Sequence, residues 1–324
     1  MAAKKKKPIW LRILAGLTYG ALCLAMVSCG TIWYAFNQSE TLTQFMRQKV
    51  FNTPPQVAFN NENTVNMLIL GCDEDRYYGG KQVLKTAARS DMILLARLDF
   101  VNRKITGVSI PRDVVVEMPG FRRSRINAFH AMGSTPEEGR QLAKRAVEYV
   151  LGVDVDRVME VNYEKFQEMI DLVGGVEVFV DKPLKYTDKR GGLFIDIDAG
   201  RQHLAGYDAM CFVRYRKGDS DFKRQDRQKQ LLFAFKEQLF HQPGKLPTVV
   251  EKVREVLGNE LSAEEVAALG LFAQAIGNDN IKLGQVPVIE LQHYDLAIDR
   301  DKLDETLRTY NFREGRETAY RVAQ

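Results

Sequence analysis

Between Val213 and Gln230 the chain reads VRYRKGDSDFKRQDRQKQ, seven cationic side chains and three aspartates in eighteen positions. A run of this kind can simply be a solvated helix face. Three other segments set arginine beside aspartate or asparagine near expected element ends: ARSD (88–91), IPRD (110–113) and RIN (125–127). Arginine's planar fork matches phosphate oxygens two at a time, and loops at strand ends are where α/β folds hold ligands. Carboxylates among the arginines suit a hard cation such as Mg²⁺, which takes one or two of them together with water and phosphate oxygens. The chemistry these residues could do is therefore the binding of phosphate groups. On a helix starting at Ser220, Asp221, Arg224 and Gln228 share one face, which continues through Leu231, Leu232 and Phe235. Lys223 and Lys229 project elsewhere, towards water.

Elements that could carry these residues are legible in the hydrophobic pattern. TVNMLILGC (64–72) and DMILLARLDF (91–100) read as strands, and VNR joins the second to KITGVSI (104–110) as a hairpin. Helical spacing over 136–151 and 163–173 alternates with strand-like DRVMEV (156–161) and VEVFV (176–180). Further helices are expected at 206–215, 220–240, 246–257, 262–276 and 299–310, with a strand near 281–288. This alternation predicts an α/β fold: a single domain over residues 63–312, with a mixed central sheet and helices on both faces. The glycines of VGG (173–175) fall where a helix gives way to a strand and read as its C-terminal cap.

At 324 residues, 45% hydrophobic and 27% charged, the chain is long enough for a sizeable core and is not of disordered composition. Its net charge of +4 is carried by the start of the chain. Lys4 to Lys7 and Arg12 are five of the 46 basic residues and no acid precedes Glu40, which leaves 41 basic against 42 acidic groups beyond residue 36. No broad basic surface follows, so nucleic acid is not an expected partner. After the basic tail (1–8), residues 9–36 read IWLRILAGLTYGALCLAMVSCGTIWYAF, long enough as a helix to cross a bilayer. The lysines put the N-terminus in the cytoplasm and Trp33, Tyr34 and Phe36 lie at the outer interface. A cleaved signal peptide would need a shorter apolar stretch and an A-x-A site. Residues 37–62, with Pro54-Pro55, read as a polar connector, and 313–324 as a tail. Cys72 and Cys211 lie beyond the span with no C-x-x-C, and the four histidines lack metal-ligand spacing, so no zinc site is suggested; a disulfide and two buried thiols are both open. The sequence has no Walker A, dinucleotide, H-E-x-x-H or G-x-S-x-G motif, which removes many enzyme classes.

ARSDMILLARLDFVNRKITGVSIPRDVVVEMPG, RINAFHAMG, LVGGVEVFV and HLAGYDAMCFVRYRKGDSDFKRQDRQKQ, in that order, resemble successive signatures of the LytR-CpsA-Psr family, over roughly residues 64–312. The resemblance implies a membrane-anchored bacterial phosphotransferase. Such an enzyme moves a glycopolymer from a polyprenyl diphosphate carrier to a peptidoglycan hydroxyl, assisted by Mg²⁺, on an α/β domain with an apolar lipid pocket. Carried over residue by residue, it makes Arg89, Arg112, Arg214, Arg216 and Arg224 the diphosphate ligands, with Gln228 assisting. Asp91 and Asp73 are the metal-site acids, and Asp221 orients the arginines. Asp91, Arg89, Arg112 and Arg216 would carry the catalytic role, and Asp91 could take the acceptor's proton only with an oxygen free of the metal. DEDRYYGGKQVLKTA (73–87) departs from the family's shorter acid-then-arginine pattern, so Asp75 and Arg76 compete for the roles of Asp73, and Ser134 replaces a common glycine. Asp113 reads as structural. A polyprenyl-diphosphate hydrolase or a non-catalytic glycolipid-binding protein would use the same arginines. A transcription regulator would need a DNA-reading motif that is not there.

Overall fold

Two strands set the frame, and both are apolar because the sheet they form is covered on each face. The computed structural model describes residues 40–72, 75–78, 81–84, 88–188, 193–215, 217, 221–241, 249, 252–254 and 261–313. Helix α1 (Glu40–Val50) precedes β1 (Thr64–Cys72), the short hairpin β2 (Asp75–Tyr78) and β3 (Lys81–Leu84), β4 (Ser90–Asp99), β5 (Lys104–Ser109) and the small pair β6 (Val115–Val116) and β7 (Ser124–Arg125). Then come α2 (Pro136–Leu151), β8 (Arg157–Asn162), α3 (Tyr163–Leu172), β9 (Val176–Val180), β10 (Leu184–Asp188), β11 (Leu193–Ile197) and β12 (Gly200–Leu204). The chain continues through α4 (Gly206–Arg214), α5 (Asp221–His241), α6 (Ala263–Ala275), β13 (Ile281–Gln285), β14 (Val288–Glu290), β15 (Leu296–Ile298) and α7 (Arg300–Thr309).

The central sheet has the order β13-β5-β4-β1-β8. β4 is antiparallel to β1 and β5, whereas β8 and β13 add in parallel to their neighbours, so the sheet is mixed as the alternation predicts. Side chains of β1 alternate between two cores. Leu68, Leu70 and Cys72 pack with α2 and α7, while Val65, Met67 and Ile69 pack with Phe272 of α6 and Phe59. α2 forms because Thr135 caps the Glu138 amide and Pro136 opens the first turn; it stops at Gly152, whose φ of 60° suits a residue without a Cβ. In α6, Ser262 and Glu265 close a capping box, and Glu265 also accepts from Arg157 Nε and Nη2 at 2.9 and 2.7 Å, tying the helix to β8.

Several expectations change. Residues 37–62 are not merely a connector: from Glu40 they form α1, Phe45 is buried, and Gln48 donates to the Glu264 carbonyl at 3.1 Å. Beside the two cores flanking the sheet, a third apolar cluster gathers α3, α4, α5 and the strands β9 to β12. β9 therefore pairs with β12 in a two-stranded ribbon outside the central sheet, and β10 with β11 in another. The strand expected near 281–288 ends at Gln285 and a second begins at Val288. VGG behaves as a helix end, with Gly174 and Gly175 both at φ 85° and their amides donating to Asp171 and Ile170. Cys72 and Cys211 are buried free thiols in different clusters, and burial pushes the Cys211 thiol up to about 11. Among the described residues no helix is long and apolar enough to cross a membrane; residues 9–36 lie outside them, as does most of 246–257.

The topology also brings Cys72, His130 and Glu160 together, with one ligand atom of each within 4.8 Å of the others. Their hydrogen bonds make a largely buried polar knot. The His130 Nδ1–H donates to the Ala88 carbonyl at 2.6 Å, and Nε2 stands 3.4 Å from Glu160, which also accepts from Arg140. The Cys72 sulfur is almost equidistant from the two ring nitrogens, at 3.8 and 3.9 Å, and its side chain also hydrogen-bonds Glu160. Burial works to lower the His130 pKa, but the hydrogen bonds to Glu160 and Ala88 and the Glu160 charge outweigh it and the pKa is raised. For Glu160 burial works upward, and His130 and Arg140 overcome it and lower the pKa. His130 thus stabilises the fold fully below its unfolded pKa near 6.5, and that contribution is lost as pH rises through the higher folded value. Glu160 stabilises above its unfolded pKa near 4.5, and loses that contribution as pH falls through the lower folded value. The pair should stabilise most between those limits. Glu160→Gln is expected to cost about 2–3 kcal/mol near pH 6. In thermal melts the gap between wild type and His130→Gln should shrink from pH 6 to pH 9; a gap independent of pH would contradict the pairing.

Candidate functional site

A cavity of about 480 Å³ opens where the sheet meets the third cluster. Its size is that of a ligand site. From the sheet come Asp91, Met92 and Ile93 at the start of β4, and Ser109, Ile110, Pro111 and Arg112 at the end of β5. From the third cluster come Tyr163, Tyr186, Asp188, Leu193, Val213, Arg214, Lys217, Arg224 and Gln228. Arg112, Arg214, Lys217 and Arg224 bring positive charge from both halves, and Met92, Ile93, Ile110, Pro111, Leu193 and Val213 add apolar surface.

Antiparallel pairing of β4 with β5 places the start of one beside the end of the other, which is why Asp91 and Arg112 meet although 21 residues apart. Arg112 Nη1 donates to Asp91 Oδ1 at 3.0 Å, and its Nε lies 3.6 Å from Asp113. Burial opposes the Arg112 charge, but Asp91 and then Asp113 outweigh it and raise the pKa, so the guanidinium stays charged. Arg125 is spoken for: it pairs with Asp113 at 2.8 Å and Asp295 at 2.9 Å, and does not line the cavity. Asp113 serves as a bracket between two arginines.

α4 and α5 supply the other cations. α4 begins against α3, where the Gly206 amide donates to Asp171 at 2.7 Å; a Cβ at Gly206 would sit 2.4 Å from the Gln167 carbonyl, so only glycine permits this approach. At the far end of α4, Arg214 lies with its guanidinium carbon 4.1 Å from the centre of the Tyr163 ring. Tyr163 is placed by its own helix start, where Asn162 caps the Lys165 amide. The end of α4 is held to α5 by Arg227, only 6% exposed, which donates to the Phe212 carbonyl at 2.9 Å and the Tyr215 carbonyl at 2.5 Å. Those are carbonyls that the end of α4 leaves without helical partners. Arg224 and Gln228, one turn apart on α5, then line the cavity together.

Of the residues singled out in the sequence, Asp91, Arg112, Arg214, Arg224 and Gln228 are brought together here. Arg89 is exposed just before β4 and does not line this cavity. Asp221 opens α5, while Asp73 and Arg216 lie outside the described residues. Leu232 departs from the expected face: about 80° around the helix from Arg224, it is 45% exposed, whereas Leu231 is buried. Tyr163, Arg227, Tyr186 and Asp188 were missed. Arg227 did carry a signal, for it lies about 40° from Leu231 on a helical wheel and so on the buried arc.

Stacking on Tyr163 fixes the plane of Arg214 at the cavity wall. Tyr163→Ala should therefore weaken inorganic diphosphate binding by about 1 kcal/mol with little change in melting temperature, and Tyr163→Phe should retain most of it. Arg227→Met should lower stability by about 2–3 kcal/mol by unpairing two buried carbonyls. Titration beside thermal melting checks both; a Tyr163→Ala variant that binds diphosphate like wild type would contradict the stacking role.

Comparison with known proteins agrees with this architecture. The model of the LytR_cpsA_psr family matches residues 31–311. The "Regulatory protein MsrR" of Staphylococcus aureus (strain COL) is 26% identical over 243 residues, covering 74% of this chain and 68% of that protein. The "Polyisoprenyl-teichoic acid--peptidoglycan teichoic acid transferase TagT" of Bacillus subtilis (strain 168) is 28% identical over 302 residues, 90% of this chain and 88% of that protein. Among solved structures, B. subtilis TagV superposes with a TM-score of 0.61 at 25% identity, covering 77% of this chain and 96% of that one. The family protein YwtF (TagT) with bound octaprenyl pyrophosphate lipid superposes at 0.54 with 23% identity, over 77% of this chain and 90% of that one. The family match spans the central sheet and every cavity-lining segment, and the chain belongs to the LytR_cpsA_psr family.

Proposed function

We propose that this chain is a membrane-anchored phosphotransferase that moves a glycopolymer from a polyprenyl diphosphate carrier to a peptidoglycan hydroxyl. The observation that carries the reading is the composition of one cavity: Arg112, Arg214, Arg224 and Gln228 beside an apolar lining. A prenyl diphosphate has the same two parts, a compact anion and a hydrocarbon tail. TagT is named as a teichoic acid transferase, and the YwtF (TagT) structure holds an octaprenyl pyrophosphate. Residues 9–36 would anchor the domain on the outer face of the membrane, with the N-terminus inside.

The arginines would grip and orient the diphosphate, and their fixed charges would stabilise the negative charge spread over the transferring phosphoryl group. The acceptor oxygen forms a bond to the sugar-linked phosphorus, the bond from that phosphorus to the bridging oxygen breaks, polyprenyl monophosphate leaves, and the hydroxyl gives up its proton. Asp91 spends one oxygen on Arg112 and keeps the other, which fits Mg²⁺, an ion that accepts a single carboxylate oxygen alongside water and phosphate. When bound, Mg²⁺ would neutralise part of the phosphate charge, with Asp73 as its second carboxylate.

Given a polyprenyl-diphosphate glycan, Mg²⁺ and soluble peptidoglycan fragments, the purified chain should form a glycan–peptidoglycan phosphodiester and release polyprenyl monophosphate, with slow hydrolysis when acceptor is withheld. Arg214→Lys should lose about 10²-fold in transfer while melting normally, because a point charge does not replace the stacked, bidentate fork. Mass spectrometry reads both. Equal release with and without acceptor, and no joined product, would make the protein a hydrolase; tight lipid binding without turnover would make it a binding protein.

A further inference from the structure

Helix α1 turns an apolar strip towards solvent. Met46, Val50 and Phe51 are all exposed, the last two by 70% and 73%. The other side of the helix fixes it to the domain. Thr41, Phe45 and Gln48 are buried, and the Phe45 ring lies against Gly270 of α6, where a Cβ would come within 3.4 Å of it. Gln48 donates to the Glu264 carbonyl, and Glu40 pairs with Arg254 at 3.5 Å. At about 100° per residue, Met46 and Val50 lie about 40° apart in the middle of the outward arc. Lys49 flanks Met46 about 60° to one side and Arg47 flanks Val50 about 60° to the other, and both cations are exposed. Phe51 closes the helix, its amide donating to the Arg47 carbonyl at 2.9 Å.

Single exposed apolar residues are ordinary. What sets these apart is the flanking charge and their place in the chain. An apolar centre bordered by cations is the pattern of a helix lying in a bilayer's interface, where the apolar side chains enter the acyl boundary and Lys and Arg reach the lipid phosphates. Only residues 37–39 separate Phe36, the end of the apolar run, from Glu40. Four Cα steps put Glu40 within about 15 Å of Phe36, and α1 itself is about 16 Å long. The helix therefore stands close to any membrane that residues 9–36 cross. Resting on the reading of residues 9–36 as a membrane anchor, we propose that the outward face of α1 is a second membrane contact: Met46, Val50 and Phe51 enter the acyl boundary of the outer leaflet, and Arg47 and Lys49 meet the phosphates of anionic lipids. A strip this narrow would hold a separate peptide weakly, but the short tether makes the contact intramolecular and raises its effective concentration. The domain is then attached at two points, which fixes its orientation to the bilayer.

The test uses the full-length chain in vesicles of phosphatidylcholine and phosphatidylglycerol brominated near the head of the acyl chains, where bromine quenches a nearby tryptophan. The chain's two tryptophans, Trp10 and Trp33, both lie in the apolar run. In Trp10→Phe, Trp33 reports the anchor alone. In Trp10→Phe with Trp33→Phe, the further change Phe51→Trp reports the face, and Val50→Trp is an independent reporter should that variant fail to fold. Trp33 and both reporters should be quenched. Adding Arg47→Glu and Lys49→Glu should cut quenching of the reporters to less than half and leave that of Trp33 unchanged. Quenching that survives this charge reversal would overturn the role of the cations. Trp33 quenched with both reporters as bright as in unbrominated vesicles would overturn the contact alone, and reporters that instead become shielded from iodide as the chain-to-lipid ratio rises would assign the face to a second copy of the chain. An unquenched Trp33 would overturn the anchor and the contact with it.

Discussion

Gathering several guanidinium groups around one half-buried cavity is the constraint that the rest of the structure has to meet. Two such charges about 6 Å apart repel by about 3 kcal/mol at an effective dielectric of 20. Three of the arginines in and around the cavity meet this in different ways. Arg112 is held by Asp91 and Asp113, Arg214 lies on the face of Tyr163, and Arg227 donates to the carbonyls of Phe212 and Tyr215. The first two arginines line the cavity; Arg227 is a piece of framework. A diphosphate would then relieve repulsion already built into the fold, so its binding and the stability of the site are coupled.

The cavity lies where two separately packed halves meet. The central sheet, buried on both faces, fixes the ends of β4 and β5 and with them Asp91 and Arg112. The third cluster has its own core and fixes Tyr163, Arg214, Arg224 and Gln228 through α3, α4 and α5. β8 runs directly into α3, so the two halves are joined by continuous structure at Asn162 and Tyr163. Positioning of this kind is what phosphoryl transfer demands of a protein, since most of the chemistry resides in the substrate's own leaving group.

How much of this was legible in the sequence depended on which force dominated locally. β1, β4 and β5 were readable because burial on both faces makes them nearly continuous apolar runs, and α2 because its cap, its periodicity and its terminating glycine agree. β10, β11 and β12 were not. Each shows one face to solvent; Lys185, Thr187 and Asp196 interrupt the apolar residues of β10 and β11, and β12 has Leu204 alone as a large apolar residue, so the pattern looks like loop. α1 hid for a related reason, seven of its eleven residues being polar around the buried Phe45. At the site, arginine and aspartate spacing pointed to Arg112, Arg214, Arg224 and Gln228. Tyr163, Tyr186 and Asp188 reach the cavity through tertiary packing alone, and no local pattern marks them.

The central claim is that this cavity recognises a diphosphate as a diphosphate, and not merely as a lipid. It is tested most directly by titrating the full-length chain in detergent micelles with a prenyl diphosphate and with the corresponding monophosphate, for wild type and for Arg224→Gln. The account predicts that the diphosphate binds wild type at least tenfold more tightly than the monophosphate, and that the variant loses most of this preference while still binding the lipid. Equal affinity of wild type for the two ligands, or a preference that survives Arg224→Gln intact, would contradict it.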